Sequence, residues 1–337
     1  MIEKVLNHQI FVETPPVVLD IGASGPVPKV WDEISKYSHC IAFDGDDREF
    51  PASGQGIDAW KKYHRFKSLC SADEEGAAEF FLTKFPFCSS TLKPDEKALA
   101  DWEFAHLFEV EEITSQETTT INKSLEKSSL HYVDWFKTDS QGTDLRLFKS
   151  LPEEIRKRIL VADFEPGIID AYCGEDKLHH VLSHMEKEPF WVHSMEIKGS
   201  KRILRKNLGG EEEIKKNIIK QQKDSPCWCE ISYINDMKSS QLGLRENLLA
   251  WVFSSILEQH GFALGIARKG SSSEDPIFGE LYEYSLDQLQ DAYEDDDEGL
   301  KKVIQAYLAC ITFMDEQVGI VLDALNNSSL KDNTMVV

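Results

Sequence analysis

Carboxylates follow or end three short apolar runs of this chain. Asp20 ends the first run, Asp44 ends the second, and Asp139 ends a third run that is rich in aromatic residues. A short apolar run stopped by an acid or a glycine is typical of a buried strand that passes into a loop. Because the carboxyl ends of parallel strands share one edge of a sheet, we expect the three carboxylates to line one cleft. Such carboxylates can accept hydrogen bonds from hydroxyl or amine groups, and one of them can take a proton.

A glycine-containing loop follows the first carboxylate. The loop consists of Gly22, Ala23, Ser24 and Gly25. Because glycine has no Cβ, the backbone N–H groups of this loop can approach a ligand closely. A helix is predicted over residues 27–37, with Pro28 in its first turn. A plain strand-to-helix turn explains the same pattern, so the loop alone does not establish a binding site.

The glycine spacing and the preceding acid bear on the kind of ligand. A dinucleotide-binding loop has the spacing G-x-G-x-x-G, whereas this chain has G-x-x-G. Asp20 repels a diphosphate, but it can accept hydrogen bonds from the amine of a cationic ligand. These features favour S-adenosylmethionine as the cofactor. A nicotinamide dinucleotide is the less favoured alternative.

The second and third strand ends supply further candidate contacts. Asp44 lies 24 positions after Asp20, about the separation at which a second strand delivers a carboxylate to a ribose diol. Gly45 follows it in the same loop. A further apolar segment over residues 66–71 predicts a strand whose end places Ser71 and Ala72 beside an adenine. An ordinary turn before a hairpin is the other interpretation of this end.

Asp139 lies in a second informative segment, residues 131–148. A strand is predicted to end near Asp139, Gly142 makes the turn, and an amphipathic helix follows. This places Asp139 and Gln141 on the rim that carries the two earlier carboxylates. Asp139 is the candidate general base, and a role in orienting the cofactor is the alternative. Gln141 is a candidate cofactor contact.

Composition and charge exclude several classes of partner. The 337 residues include 37 basic and 59 acidic side chains, which gives a net charge of −22. This charge opposes the phosphate neutralisation that nucleic-acid binding requires, so no nucleic-acid or anionic-membrane partner is expected. No apolar run has the length of a membrane span. Seven scattered cysteines favour reduced thiols and a cytoplasmic location.

Two patterns that resemble metal sites lack the remaining ligands. Cys227 and Cys229 form C-x-C without a second cysteine pair, and strand residues on opposite faces explain them. His180 and His184 are spaced for one helix face, but no third ligand is evident. We therefore predict no metal site.

The chain is predicted to divide near residue 236. Residues 1–236 alternate between strand and helix patterns, and residues 237–337 have mainly helical periodicity. The second part is expected to be a helical C-terminal extension that includes an amphipathic segment over residues 300–325, either one long helix or two short ones. This segment packs either on the core or on a second subunit, and the second case would give a homo-oligomer.

The motifs resemble those of the FkbM-type family of S-adenosylmethionine-dependent methyltransferases. Residues 19–26, followed by Trp31, resemble its first motif, and residues 42–46 lie where the family has an acidic box. Residues 137–145 resemble its K-x-D-x-Q/E-G-x-E-L box, which is the most specific part of the match. The resemblance covers about residues 16–234. It implies a class I methyltransferase (Rossmann-like) α/β fold with a mostly parallel seven-stranded sheet and helices on both faces.

The resemblance also implies a reaction, with some departures from the family pattern. Its usual chemistry is O-methylation of a hydroxyl on a sugar or natural product, so the expected substrate is a small molecule or glycan. Asp44 and Gly45 replace the usual glutamate and proline, and Asp144 replaces a glutamate. Residues 163–166 only approximate the family's acidic strand. These departures affect the geometry and the substrate more than the cofactor. A non-catalytic binding or regulatory module that keeps the sheet is the alternative function.

Overall fold

The computed structural model describes residues 1–46, 48, 56–204, 207–271, 275–294, 318, 323–325 and 327. The strands are β1 (Val17–Ile21), β2 (His39–Phe43), β3 (Lys62–Phe66), β4 (Leu69–Ser71), β5 (Gly76–Thr83), β6 (Val110–Thr120), β7 (Trp135–Thr138), β8 (Val161–Phe164), β9 (Phe190–Ser200) and β10 (Ser225–Asn235). The helices are α1 (Ile2–Leu6), α2 (Gln9–Glu13), α3 (Glu96–Leu99), α4 (Ile121–Lys127), α5 (Asp144–Ser150), α6 (Glu153–Arg156), α7 (Leu178–Met185), α8 (Glu212–Gln221), α9 (Leu244–Ile256), α10 (His260–Gly270) and α11 (Ile277–Glu294). Most of the long segment predicted at 300–325 lies outside these residues.

Seven strands form one mostly parallel sheet in the order β3-β2-β1-β7-β8-β10-β9. Strands β3, β2, β1, β7 and β8 are parallel to one another, and β10 runs antiparallel to both β8 and β9. The direction of strand addition reverses between β1 and β7, so a crevice opens at the carboxyl ends of these two strands. This confirms the expected α/β class and the mostly parallel seven-stranded sheet.

Both faces of the sheet are covered by helices. All five residues of β1 are buried, which requires apolar cover on each face. Val18 belongs to a hydrophobic cluster that contains α9 and α10, whereas Val17 and Leu19 belong to a cluster that contains α4, α5 and α7. This alternation follows from the period of two in a strand, which directs successive side chains to opposite faces.

A smaller three-stranded sheet, in the order β4-β6-β5, lies beside the large one. The strand predicted over residues 66–71 is wrong as a single element, because its two ends belong to different sheets. Phe66 ends β3 in the large sheet, whereas Leu69 begins β4 and pairs with Thr118 of β6. The apolar run joins the end of one strand to the start of another, and its periodicity does not reveal the change of sheet between them.

The helix predicted over residues 27–37 is also wrong. Two short 3-10 turns, Lys29–Trp31 and Ser35–Tyr37, replace it. The N–H of Trp31 donates to the carbonyl of Pro28, and the N–H of Ile34 donates to that of Trp31. Bonds of this i to i+3 type place Trp31 and Ile34 on one side of the segment, where both are buried.

The C-terminal helices share a core with the strands. Leu248, Trp251 and Phe253 of α9 are fully buried in the cluster that contains Val18 and Trp135. Arg245 of α9 forms a bidentate ion pair with Asp134, the residue before β7, with both N–O distances 2.7 Å. Within the described part of the chain, no helix is both long enough and apolar enough to span a membrane.

Candidate functional site

The three predicted carboxylates lie on one rim of the large sheet. Asp20 lies in β1, Asp44 directly follows β2 and Asp139 directly follows β7, and these strands are adjacent and parallel. The N–H of Asp139 donates to the carbonyl of Ile21 at 2.9 Å, which extends the pairing of β1 and β7 into the loop. The predicted grouping of the three side chains at the carboxyl ends of the strands is confirmed.

The glycine loop fits closely between the neighbouring strands. Gly22 has a φ of +79°, and a Cβ on it would lie 2.1 Å from the carbonyl oxygen of Asp139. Only glycine therefore allows β1 and β7 to pass so close to each other at this point. Ser24 donates a hydrogen bond to Asp44. The side chain of Ala23 is buried in the core, and its N–H donates to the carbonyl of Phe43. Ala23 therefore stabilises the loop and does not face the cleft.

Asp44 borders a narrow cavity between the loops that follow β1, β2 and β7. The cavity has a volume of about 70 Å³ and is lined in part by Ser24, Gly45, Leu69 and Phe87. Burial raises the pKa of Asp44 to about 6, although hydrogen bonds from Ser24 and from the N–H of Asp46 oppose the rise. A nucleoside is larger than this cavity. Among the lining residues, the ring of Phe87 lies 3.8 Å from the position that a Cβ on Gly25 would take.

Asp46, which lines this cavity, forms an ion pair that sequence reasoning missed. Asp46 is buried and pairs with Arg48, with a shortest N–O distance of 2.6 Å. Arg48 also donates to the carbonyl of Thr83 and to the hydroxyl of Ser89, both at 3.0 Å. The ion pair thus fixes the loop after β2 against the loop after β5. Asp46 is therefore a buried part of the cavity wall.

Asp20 pairs with Lys137 directly across the β1–β7 ladder. The Lys137 Nζ lies 2.7 Å from Asp20 Oδ1, and the two residues are register partners. Burial alone would lower the pKa of Lys137, but the carboxylates of Asp20 and Asp139 raise it above its ordinary value. The pair therefore presents one positive and one negative group side by side. Lys137 could have been found from the sequence, because the period of two places it on the same strand face as Asp139.

Asp139 lies at the junction of three cavities and is paired with a second acid. It lines the cavity near Asp44, a larger aromatic cavity and an open cavity beside β9 and β10. The amide of Gln141 donates a hydrogen bond to Asp139, and Glu165 shares a side-chain hydrogen bond with it. Burial raises the pKa of Asp139. Burial and the charge of Asp139 raise the pKa of Glu165 to about 9, so the pair shares one proton near neutral pH.

Glu165 was not predicted as a site residue, although the sequence holds a signal for it. It directly follows β8 as Asp139 follows β7, and the two strands are parallel neighbours. Asp144 joins these two strand ends. Its carboxylate accepts hydrogen bonds from the N–H of Ser140 at 3.0 Å and from the N–H of Glu165 at 2.8 Å. Asp144 therefore positions the acid pair and faces the protein interior.

Replacing Glu165 with glutamine is expected to stabilise the protein at alkaline pH. Between the ordinary pKa of 4.5 and the folded value of about 9, the unfolded chain has lost the Glu165 proton and the folded chain retains it. The free energy of unfolding therefore falls as pH rises through this window. Glu165→Gln, which has no proton to lose, should exceed the unchanged protein in unfolding free energy by at least about 1 kcal/mol at pH 8.5 and should match it near pH 5.

Urea denaturation at the two pH values measures this difference. Glu186→Gln is the matched control, because Glu186 is an exposed glutamate. It should show no pH-dependent gain. An equal gain in both variants, or a gain at pH 5 alone, would show that Glu165 does not hold a proton in the folded protein.

The remaining predicted residues have different placements. Gly45 lines the narrow cavity, and a Cβ on it would lie 2.4 Å from Leu69. Gln141 has a φ of +54°, and its Oε1 accepts a hydrogen bond from the hydroxyl of Tyr172 at 2.9 Å. Ser71 and Ala72 do not line the narrow cavity, where Ser68, Leu69 and Cys70 take the predicted place at β4. Among the described residues, no group of three His, Cys, Asp or Glu side chains could hold a metal ion.

Comparisons with known proteins add little to this geometry. No family model matches the chain, and no solved structure matches it. A sulfatase from Formosa agariphila (strain DSM 15362 / KCTC 12365 / LMG 23005 / KMM 3901 / M-2Alg 35-1) is 60% identical over 37 residues. That segment is 11% of this chain and 7% of the sulfatase. A match this short shows that one segment is similar, and it carries no information about activity.

Proposed function

We propose that the protein is a class I S-adenosylmethionine-dependent methyltransferase that transfers the methyl group to a hydroxyl oxygen. The observation that carries the proposal is the convergence of Asp20, Asp44 and Asp139 around a glycine loop at the point where the strand order reverses. Ligands of open α/β sheets bind in this crevice. The resemblance to the FkbM-type family agrees with the proposal and remains a prediction.

The sheet supports this class over a dinucleotide-binding fold. The sheet is not wholly parallel, because the antiparallel strand β10 lies between β8 and β9. The glycine loop leads into a 3-10 turn rather than an α-helix. It therefore lacks the aligned N–H groups of a helix N-terminus that hold a diphosphate. The negative charge of Asp20 beside the loop opposes a diphosphate as well.

The charges of the rim are complementary to the parts of the proposed cofactor. Asp44 would accept hydrogen bonds from the two ribose hydroxyls, with Gly45 allowing close approach. The side-by-side charges of Asp20 and Lys137 match an amino-acid group, since the carboxylate can bind an ammonium and the ammonium can bind a carboxylate. These residues fit the cofactor chemically, and Phe87 would cover it after closure.

When bound, S-adenosylmethionine supplies a methyl group on a positively charged sulfur. The residues of the rim would hold this group and the acceptor in line, which accounts for much of the rate increase in such reactions. Asp139 would accept the proton of the attacking hydroxyl. The raised pKa of Glu165 keeps a proton on the acid pair near neutral pH, while the positive charge of Lys137 opposes the rise that burial causes in the pKa of Asp139. The pair thus offers one basic oxygen near neutral pH.

Replacing Asp44 with alanine tests the binding half of the proposal. Loss of hydrogen bonds to a charged acceptor costs about 1.5–3 kcal/mol, so the dissociation constant of S-adenosylhomocysteine should rise about 10- to 150-fold. Isothermal titration calorimetry measures it. Asp58→Ala, at an exposed aspartate, is the control and should bind as the unchanged protein does.

Absence of binding in the unchanged protein would contradict the proposal and favour a non-catalytic module. Binding of NADH alone would favour an oxidoreductase.

A further inference from the structure

An aromatic cavity of about 320 Å³ opens beside the narrow cavity at Asp44. The two cavities share Phe87, Asp139 and Gln141 as walls. The aromatic side chains that line the larger one are Phe85, Phe87, Phe104, Phe108, Tyr172 and Trp228. A molecule in this cavity would therefore contact Asp139, which also lines the cavity proposed for the nucleoside.

The rings hold one another in fixed orientations. Phe104 stacks on Trp228 with a centroid distance of 6.3 Å and contacts Phe108 edge-on at 5.3 Å. Phe108 in turn contacts Tyr172 at 5.5 Å. The hydroxyl of Tyr172 lies 2.8 Å from the carbonyl oxygen of Cys88, so the polar end of this residue is already engaged. The walls thus offer flat apolar surfaces, which suit a planar ring.

The charged groups of the cavity are all acidic. Asp139, Glu165 and Glu175 line it, and no lysine or arginine is among its lining residues in the described chain. Glu175 is already satisfied by the N–H of Ala171 at 2.6 Å and by Lys177 at 3.2 Å. The acidic groups of the cavity that could bind a ligand are therefore those of the Asp139–Glu165 pair. An anionic molecule would be repelled there.

The scarcity of polar partners distinguishes between classes of hydroxyl compound. A sugar buries several hydroxyls at once, and each one left without a partner costs about 1–3 kcal/mol. A phenol buries one hydroxyl and an apolar ring. The lining fits the second case, because one end carries the acid pair and the walls carry aromatic rings.

We propose that this cavity is the acceptor site and that the acceptor is an uncharged phenol. This inference rests on the proposed methyltransferase function and narrows the acceptor from any hydroxyl compound to an aryl alcohol. The phenol O–H bond breaks and its proton passes to Asp139. The oxygen forms the new bond to the methyl carbon, and the carbon–sulfur bond breaks with its electron pair left on sulfur. Glu165, which shares a hydrogen bond with Asp139, is a positioning residue.

The test uses 4-ethylphenol as the probe, with 4-ethylbenzoate and methyl glucoside as matched compounds. Binding is measured by saturation-transfer difference NMR on the full chain saturated with S-adenosylhomocysteine. We expect saturable binding of 4-ethylphenol at an affinity at least about tenfold above that of the other two. Ala171→Trp places an indole in the cavity and should weaken 4-ethylphenol binding at least about tenfold. Ala77→Trp, at an exposed position of β5, should not change it.

Cofactor binding separates the possible failures. Ala171→Trp should retain the affinity for S-adenosylhomocysteine, which also shows that the variant is folded. If the unchanged protein does not bind S-adenosylhomocysteine, the proposed function fails. If it does bind and prefers methyl glucoside or 4-ethylbenzoate, or if Ala171→Trp binds 4-ethylphenol normally, the acceptor assignment is overturned while the methyltransferase proposal stands.

Discussion

Asp139→Asn is expected to reduce the rate of methyl transfer about 10²- to 10⁴-fold, the usual contribution of a positioned general base. Asparagine keeps the shape of the side chain and its contact with Gln141, but it cannot take the proton of the acceptor. The affinity for S-adenosylhomocysteine should change little, because the proposed ribose and amino-acid contacts belong to Asp44, Asp20 and Lys137. Turnover with labelled cofactor, together with calorimetry, measures both effects.

Two comparisons make this result decisive. Asp32→Asn, at an exposed aspartate, should leave turnover unchanged. In the unchanged protein, activity should fall on the acidic side of the raised pKa of Asp139, where this residue becomes protonated. Asp139→Asn should lack that acidic limb. Undiminished turnover in the variant would remove the base assignment, and a parallel loss of cofactor affinity would instead make Asp139 a cofactor contact.

Arg245→Met is expected to lower the free energy of unfolding by about 3–5 kcal/mol, because it leaves a buried carboxylate without its charge partner. Asp134 is 2% exposed, and besides Arg245 it accepts a hydrogen bond from the N–H of Val17 at 2.8 Å. Arg245 also donates to the carbonyl of Thr14 and lies 4.5 Å from the ring centroid of Tyr132. The ion pair therefore joins α9 to the starts of both β1 and β7.

Urea denaturation measures the loss, with Arg202→Met as the control. Arg202 pairs with Asp101 at 3.5 Å, but both side chains are more than half exposed. Surface pairs of this kind contribute about 0–1 kcal/mol. A similar loss in both variants would show that burial does not increase the contribution of the Asp134–Arg245 pair to the free energy of unfolding. A loss below 1 kcal/mol at Arg245 would show that α9 is held mainly by its apolar contacts.

The parts of the site that sequence reasoning found are those that depend on strand ends. Asp20, Asp44 and Asp139 each stand at the end of an apolar run, and parallel pairing brings such positions together regardless of the loops between them. Gly22 was found for the same local reason, since the turn it makes excludes a Cβ. The α/β class follows from the same apolar runs, because buried parallel strands have a recognisable length and composition.

The parts that were missed depend on contacts between distant segments. Arg48 joins the loop after β2 to Thr83 and Ser89, and no local periodicity reports such a contact. The change of sheet between Phe66 and Leu69 is likewise decided by pairing with β6. Glu165 and Lys137 are different, because the rules that identified Asp139 apply to both. Their importance emerged only when the hydrogen bond to Asp139 and the ion pair to Asp20 were seen.

The crystal structure of the protein with S-adenosylhomocysteine would test most directly whether the rim carboxylates converge on one nucleoside. We predict both ribose hydroxyls within hydrogen-bonding distance of Asp44, the amino-acid group at Asp20 and Lys137, and Phe87 displaced from its present position over Gly25. The sulfur should face Asp139. A ligand bound away from the carboxyl ends of β1, β2 and β7, or a rim that stays closed at saturating ligand, would contradict this account.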